Sequence, residues 1–239
     1  MKNSNKICCR CIMDTSDSKI KFDDNNLCDY CRNFDAKICP SWNDSLKNNN
    51  LLDKLSNDII REGKNKDFDC IIGLSGGLDS SYAAYVAKEK MGLRPLFFHV
   101  DAGWNTDQAV GNIEKLVNGL DSDLYTEVAN WDQVKRMQVA FLRSGIPDQD
   151  LVQDAVFFSE LYKFAKKNNV KYVITGSNYS TECCVEPEEW GGYVGIDKIL
   201  FKNIWDIHGD GRSNDLSLVD VMVSKIWYQK FLGMKVVYP

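Results

Sequence analysis

Residues 75–81 read Ser-Gly-Gly-Leu-Asp-Ser-Ser, between the apolar run DCIIG and the run YAAYVAKEK. These types in this order suit an oxyanion. Gly76 and Gly77 permit a tight turn and close backbone approach. The amides of such a turn, and of the first turn of a following helix, point outward as donors, and the helix dipole adds attraction. Ser75, Ser80 and Ser81 add hydroxyl donors. Asp79 would repel a bare phosphate, so its expected task is to hold a magnesium ion bridging phosphate oxygens. The lysine of a Walker-type loop is absent. The bland reading is a strand–helix turn built of small residues, but S-G-G-x-D-S behind an apolar strand favours a phosphate cradle.

A second chemistry stands at the N-terminus. Cys8-x-x-Cys11 and Cys28-x-x-Cys31, with sixteen residues between them, have the spacing of two knuckles closing on one tetrahedral ion. Four thiolates leave no open position, so the expected zinc is structural and makes a folded unit of a segment otherwise too polar to fold. Chance clustering or a redox pair are the alternatives. Cys9 could replace Cys8 only across a one-residue gap to Cys11, which suits chelation less well, and Cys39 is read as a spare. The adjacent pair Cys183–Cys184 chelates one ion poorly and is read as loop.

In an open parallel sheet, ligands sit beyond the carboxyl ends of the strands. Besides LSGG, two such ends carry candidate side chains. FFHVDAGWNT offers His99, Asp101, Gly103, Trp104 and Asn105, and VITGSNYSTE offers Gly176, Asn178 and Glu182. His99, inside an apolar strand, is read as a packed side chain. Asp101, at the strand exit, is either a site residue or a turn aspartate. Trp104 is read as packing, with stacking on a ring as the alternative. RSGIPDQDLVQDAV holds Asp148, Asp150 and Asp154 with Gln149 and Gln153. These form either an acidic helix start after a proline turn or a set that hydrogen-bonds sugar hydroxyls or holds magnesium.

The elements that must position these residues follow from periodicity. FDCIIGL, RPLFFHV, DLYTEV and KYVITG read as strands. SSYAAYVAKEKM, TDQAVGNIEKLVNGL, WDQVKRMQVAFLR and DLVQDAVFFSELYKFAKK read as the helices between them. Beyond Gly191 the pattern predicts helices over 197–207 and 214–232 and a last strand KVVY. Such alternation predicts an α/β fold, a doubly wound parallel sheet with helices on both faces. Residues 1–40 form the expected ribbon. Residues 41–66 read as a connecting helix with the stripe Leu51, Leu52, Leu55, Ile59, and residues 67–239 as the nucleotide domain.

The chain of 239 residues can bury a real core, and its apolar share of 44% fits a globular protein. No apolar run approaches the roughly 20 residues of a membrane helix. MKNSNKICCRC lacks the apolar stretch of a secretory signal. The chain is therefore read as cytoplasmic, its nine cysteines reduced or metal-bound. A net charge of −5 argues against a large nucleic-acid footprint.

Ser75-Gly76-Gly77-Leu78-Asp79-Ser80 resembles the signature of the PP-loop ATP pyrophosphatase superfamily. Adding CCRCIMD, FDDNNLCDYCRNF, VDAGWNTDQAVGNIEKLV, IPDQDLVQDA and TGSNYSTE, the chain resembles the N-acetyl sugar amidotransferases of bacterial surface-glycan pathways over residues 8 to about 182. The resemblance implies ATP and magnesium on Ser75, Gly76, Gly77, Asp79, Ser80 and Ser81, with Asp101 and Gly176 beside them. Asp79, Ser75 and Ser80 are the implied catalytic residues. Trp104, Asn105, Asp150, Asp154, Asn178 and Glu182 would border the substrate, and Cys8, Cys11, Cys28 and Cys31 would hold structural zinc. The implied reaction adenylates the acetamido oxygen of a nucleotide-linked or acidic sugar and expels pyrophosphate. Ammonia then displaces AMP, leaving an acetamidino group for a lipopolysaccharide O-antigen or flagellin glycan. A separate glutaminase, often with a cyclase-like channel partner, supplies the ammonia. Chains of that family usually run past the equivalent of VVYP, so a C-terminal portion is expected beyond Pro239. Two other functions compete. A tRNA-thiolating PP-loop enzyme predicts a catalytic CxxC inside the nucleotide domain and a basic face, whereas this domain has only Cys70 and the Cys183–Cys184 pair. A non-catalytic nucleotide-binding scaffold predicts no AMP formation with any acceptor.

Overall fold

The structure, a computed structural model, describes residues 5–40, 50–177, 197–216, 218–220 and 222–237. These residues divide into two compact units, with the boundary in sequence between Leu51 and Leu52.

The first unit is built by two short hairpins, marked by antiparallel bridges between Ile7 and Asp14 and between Phe22 and Cys28. Helix α1 (Asp29–Asn33) follows and continues into a π turn, Phe34–Ile38. Its buried cluster is Cys8, Cys28 and Cys31, with Met13, Ile20 and Phe22 packed partly against it. So small an apolar group cannot hold a fold of this length unaided.

In the second unit, strands β1 (Cys70–Gly73), β2 (Pro95–Asp101), β3 (Leu124–Val128), β4 (Tyr172–Ile174) and β5 (Lys235–Val237) form one sheet. Its order is β3-β2-β1-β4-β5 and every pairing is parallel. Helices α2 (Asn50–Gly63), α3 (Leu78–Tyr85), α4 (Asp107–Gly119), α5 (Trp131–Ser144), α6 (Leu151–Lys167) and α7 (Lys198–His208) complete the unit. The expected α/β architecture is met. Successive strand residues point to opposite faces, and both faces are buried. Cys70, Ile72, Phe97, Tyr172 and Ile174 pack with Ile59, Ala83, Ala84 and Ile113. Ile71, Phe98, Val100 and Val173 pack with Val134, Phe141, Val152, Leu161 and Phe201. Because the chain leaves β1 for β2 on one side and pairs with β4 on the other, the carboxyl end of β1 is the switch point where such sheets open a crevice.

Two expectations are corrected. In the stripe of α2, Ile59 is fully buried and Leu52 and Leu55 partly so, whereas Leu51 points to solvent. The helix expected over 214–232 is confined to a π-helical stretch, Val223–Phe231. Asn214 Oδ1 accepts the amide of Leu216 at 3.2 Å and Asp220 Oδ1 accepts that of Met222 at 2.8 Å. The Asn214 bond competes with helix formation, whereas Asp220, whose carbonyl also accepts the Ser224 amide at 2.9 Å, N-caps the stretch that follows it and so fixes its late start. Leu218 and Val219, spaced as if on a helix, are buried as loop residues.

Candidate functional site

The loop after β1 is held from several sides. Leu74 N donates to the Phe98 carbonyl at 2.8 Å, extending the ladder to the loop's first turn. Gly76 has φ +76°, and a Cβ there would lie 2.5 Å from the Ala109 carbonyl oxygen. Only glycine combines that left-handed backbone with so close an approach. Asn112, on α4, donates from Nδ2 to the Gly76 carbonyl at 3.1 Å. Gly77 is extended and N-caps α3 without a side-chain bond. The hydroxyls of Ser75 and Ser80 lie 3.1 Å apart, and Ser75 Oγ also accepts the Gly77 amide at 3.3 Å. Ser81 Oγ donates to the Gly77 carbonyl at 2.7 Å. Ser75, Gly77 and Asp79 are solvent-exposed, and the Asp79 carboxylate makes no hydrogen bond among the described residues.

The end of β4 closes on this loop. A Cβ on Gly176 would lie 2.6 Å from Ser80 N and 2.7 Å from the Asp79 carbonyl carbon. The neighbouring Thr175 buries a hydroxyl without a hydrogen-bond partner among the described residues. Under β1, a Cβ on Gly73 would meet the Phe157 ring at 2.4 Å, which fixes α6 against the strand that carries the loop. Asp150 and Asp154 are exposed at the start of α6 and share a face with Phe157 by helical spacing. Asp150 makes no side-chain cap bond.

At the end of β2, Asp101 Oδ1 accepts the Gly103 amide at 2.9 Å, a bond within its own turn. Trp104 is half exposed and meets Trp131 edge to face, ring centroids 5.2 Å apart. Gly103, at φ +86°, makes room for the Trp131 ring. Asn105 Nδ2 lies 3.0 Å from His99 Nε2, and His99 Nδ1 lies 2.9 Å from the Leu74 carbonyl oxygen. The structure thus brings the serines, Gly76, Gly77, Gly176 and Asn105 into one hydrogen-bonded and packed neighbourhood. The Asp101 side chain bonds inside its own turn. Asn178, Glu182, Cys183 and Cys184 lie outside the described residues. Two contributors carry no signal in the sequence. Asn112 reads as a solvated helix position, and the bonds of His99 are hidden behind its apolar neighbours. A further cleft of about 190 Å³ opens at the carboxyl end of β3, lined by Glu127, Asn130, Gln133, Glu160, Asp215 and Leu216 among others. It draws on three separate segments, 127–133, 156–160 and 215–218, so no local pattern announces it.

In the first unit, the sulfurs of Cys8, Cys11, Cys28 and Cys31 all lie within 4.8 Å of one another. Cys8 Sγ is 3.9 Å from Cys31 Sγ, and Cys11 Sγ is 3.6 Å from Cys28 Sγ. Zinc–sulfur arms of about 2.3 Å at tetrahedral angles give sulfur edges of about 3.8 Å. The four residues therefore fit a closed-shell zinc ion. Burial opposes ionisation of Cys8, but the amides of Arg10, Cys11 and Cys28 directed at its sulfur outweigh this and bring the thiol down to about 6. Burial pushes the Cys28 and Cys31 thiols up. Four crowded sulfurs of this kind become thiolates together only when a cation compensates their charge. Cys9 is exposed and lies outside the cluster.

No family model matches the chain. An uncharacterised protein of Methanocaldococcus jannaschii is 29% identical over 109 residues, which are 46% of this chain and 38% of that protein. Among solved structures, the chain is similar to the NH3-dependent NAD synthetase of Campylobacter jejuni subsp. jejuni, solved with a nitrate ion, at TM-score 0.42 and 20% identity. That match covers 61% of this chain and 60% of the other. It is also similar to the NMN synthetase of Francisella tularensis at TM-score 0.41 and 23% identity, covering 77% of this chain and 71% of that one. The chain thus spans less than two thirds of the length of the Methanocaldococcus and Campylobacter proteins.

Proposed function

We propose that the second unit is a PP-loop ATP pyrophosphatase domain that adenylates the acetamido group of an N-acetylated sugar and passes it to ammonia. One observation carries this reading. The S-G-G-x-D-S loop stands at the carboxyl end of the central strand. Its backbone is pinned by Ala109, Asn112 and Gly176, while Ser75, Gly77 and Asp79 face solvent. That shape grips an oxyanion by backbone amides without a lysine, which suits a leaving pyrophosphate. Asp79, beside the hydroxyls of Ser80 and Ser81, is the residue that would hold magnesium, which neutralises charge on the phosphate oxygens when bound.

In the proposed reaction the acetamido oxygen attacks the α-phosphorus, and the bond from that phosphorus to the α–β bridging oxygen breaks, the oxygen and its electron pair leaving with pyrophosphate. The product is an O-adenylyl imidate. Adenylation turns a poor leaving group, the amide oxygen, into a good one. Ammonia adds to the imidate carbon and AMP departs with that oxygen, leaving an amidine. The Ser75, Ser80 and Gly77 donors face the developing charge on pyrophosphate. Trp104, Asn105, Asp150, Asp154, Asn178 and Glu182 are the residues proposed toward the substrate, and a glutaminase, with a channel-forming partner, is the proposed source of ammonia. The sugar acceptor rests on the resemblance carried by VDAGWN, IPDQDLVQDA and TGSN. The four cysteines are proposed to hold zinc as a structural element of a ribbon over residues 1–40.

The test is incubation with ATP–Mg, ammonium and an N-acetylated nucleotide sugar. AMP should form with sugar in which oxygen is exchanged for NH, read by mass spectrometry. AMP release triggered by tRNA and not by sugar would overturn the amidotransferase reading, and no AMP with either would favour a binding scaffold. Asp79→Asn should abolish AMP release with an unchanged melting temperature, since Asp79 is exposed. Unchanged turnover would remove Asp79 from the magnesium role.

A further inference from the structure

We propose that His99 is a positioning residue, the central member of a strut that ties the phosphate loop to the exit loop of β2. It deepens the nucleotide-binding reading above and rests on it for its kinetic consequence. His99 is buried, with 8% of its surface exposed. Its Nδ1 faces the Leu74 carbonyl oxygen at 2.9 Å, one residue before Ser75. A carbonyl only accepts, so Nδ1 carries the proton. In the neutral ring Nε2 is then an acceptor, matching the amide donor Asn105 Nδ2 at 3.0 Å. The Leu74 amide is spent on the Phe98 carbonyl. The peptide groups around the first turn of the loop are therefore fixed from β2 through both the backbone and the imidazole. Asn105 lies just ahead of α4, which touches the same loop through Ala109 and Asn112. The strut and the helix together make the phosphate loop and residues 105–112 one rigid piece. Loosening Asn105 should free the ring, then the Leu74 carbonyl, then the amides of Ser75 and Gly76. His99 touches no reacting atom in this scheme.

The chain has two histidines, so imidazole nitrogen NMR resolves His99 from His208. In the ligand-free wild type the His99 ring should be fixed as the Nδ1–H tautomer. A ring found as Nε2–H, or averaging between tautomers, overturns the strut whether or not ATP binds. Asn105→Ala alters an exposed side chain and should fold. It should let the His99 ring average and speed amide exchange at Ser75 and Gly76 without ligand. ATP–Mg affinity should weaken about three- to tenfold, the worth of one neutral hydrogen bond. Asn105→Gln, which keeps a primary amide donor, should restore most of the affinity and the slow exchange. Loss of affinity with unchanged ring state and unchanged exchange would make Asn105 a direct ligand contact and overturn the proposal. A wild type with the fixed tautomer that binds no ATP–Mg would refute the nucleotide reading and leave the strut standing on its spectrum.

Discussion

At the scale of single residues, the three glycines around the loop are unequal, although a sequence reader treats them alike. Gly176→Ala puts a methyl group 2.6 Å from the Ser80 nitrogen, a backbone atom that cannot step aside. It should destabilise the second unit by about 1–3 kcal/mol, as overpacked sites do, and remove ATP–Mg binding. Thermal melting and calorimetry check both. Gly77→Ala meets only the Ser75 hydroxyl at 3.3 Å, in an extended conformation open to any residue. It should change stability by less than about 1 kcal/mol. Gly76 combines a positive φ with the Ala109 contact and should tolerate no side chain. The sequence made Gly76 and Gly77 legible as a turn, because paired glycines before an aspartate and serines have a direct physical meaning. It could not rank the loop glycines, since the ranking comes from Ala109 and Gly176, 33 and 100 residues after Gly76.

At the scale of elements, the strands and the helices α2 to α7 were legible because each is a periodic run between turn residues, whereas the short α1 inside the ribbon was not. The segment before the last π-helical stretch was not. Asn214 turns it by bonding to the Leu216 amide, and Asp220, accepting the Met222 amide through its side chain and the Ser224 amide through its carbonyl, caps the helical stretch only there. Ser159, fully buried on α6, accepts the Val219 amide through Oγ at 2.7 Å. Ser159→Ala should leave that amide unpaired and cost about 1–3 kcal/mol, read by denaturant unfolding. Asp210 binds Arg136 through both carboxylate oxygens, at 2.7 and 2.8 Å, and also pairs with Arg212. The Arg136 and Arg212 guanidinium groups hold its carboxyl well below the usual carboxylate range. A depressed folded-state pKa stabilises fully above the unfolded value and is lost as pH falls through the folded one. The melting difference between wild type and Asp210→Asn should therefore be constant near neutrality and shrink below about pH 4. A difference that grows with acid would refute this pairing as the source.

At the scale of the whole molecule, two units rest on different kinds of cohesion. The second unit buries both faces of a five-stranded sheet, whereas the buried cluster of the first unit consists of three of the four cysteines whose sulfurs lie close enough to hold a metal ion. Removal of zinc with a strong chelator should make residues 5–40 protease-sensitive while the melting of the second unit is preserved. Cys28→Ser should have the same effect and remove the bound zinc, read by elemental analysis. The paired CxxC spacing made this centre legible because chelation depends on local spacing. The β3 cleft stayed hidden for the opposite reason. No helix among the described residues is long and apolar enough to cross a membrane.

The pairing of β1 with β4 has a temporal side. Cys70 faces Tyr172, 102 residues later, and Gly176 reaches the loop only after that pairing forms. Contacts so far apart in sequence form slowly. During synthesis at about 5–20 residues per second, β1 and its loop wait roughly 5–20 s for their second neighbour. Through that interval the edge of the central strand that β4 will take has unpaired amides and carbonyls. A ribosome-bound chain stopped after Asn168 should bind no ATP–Mg and should engage chaperones, while one long enough to expose β5 should bind ATP–Mg and engage no chaperone. If the second unit binds nucleotide as proposed, that ability arises late in synthesis, because the approach of Gly176 to Ser80 follows the emergence of β4.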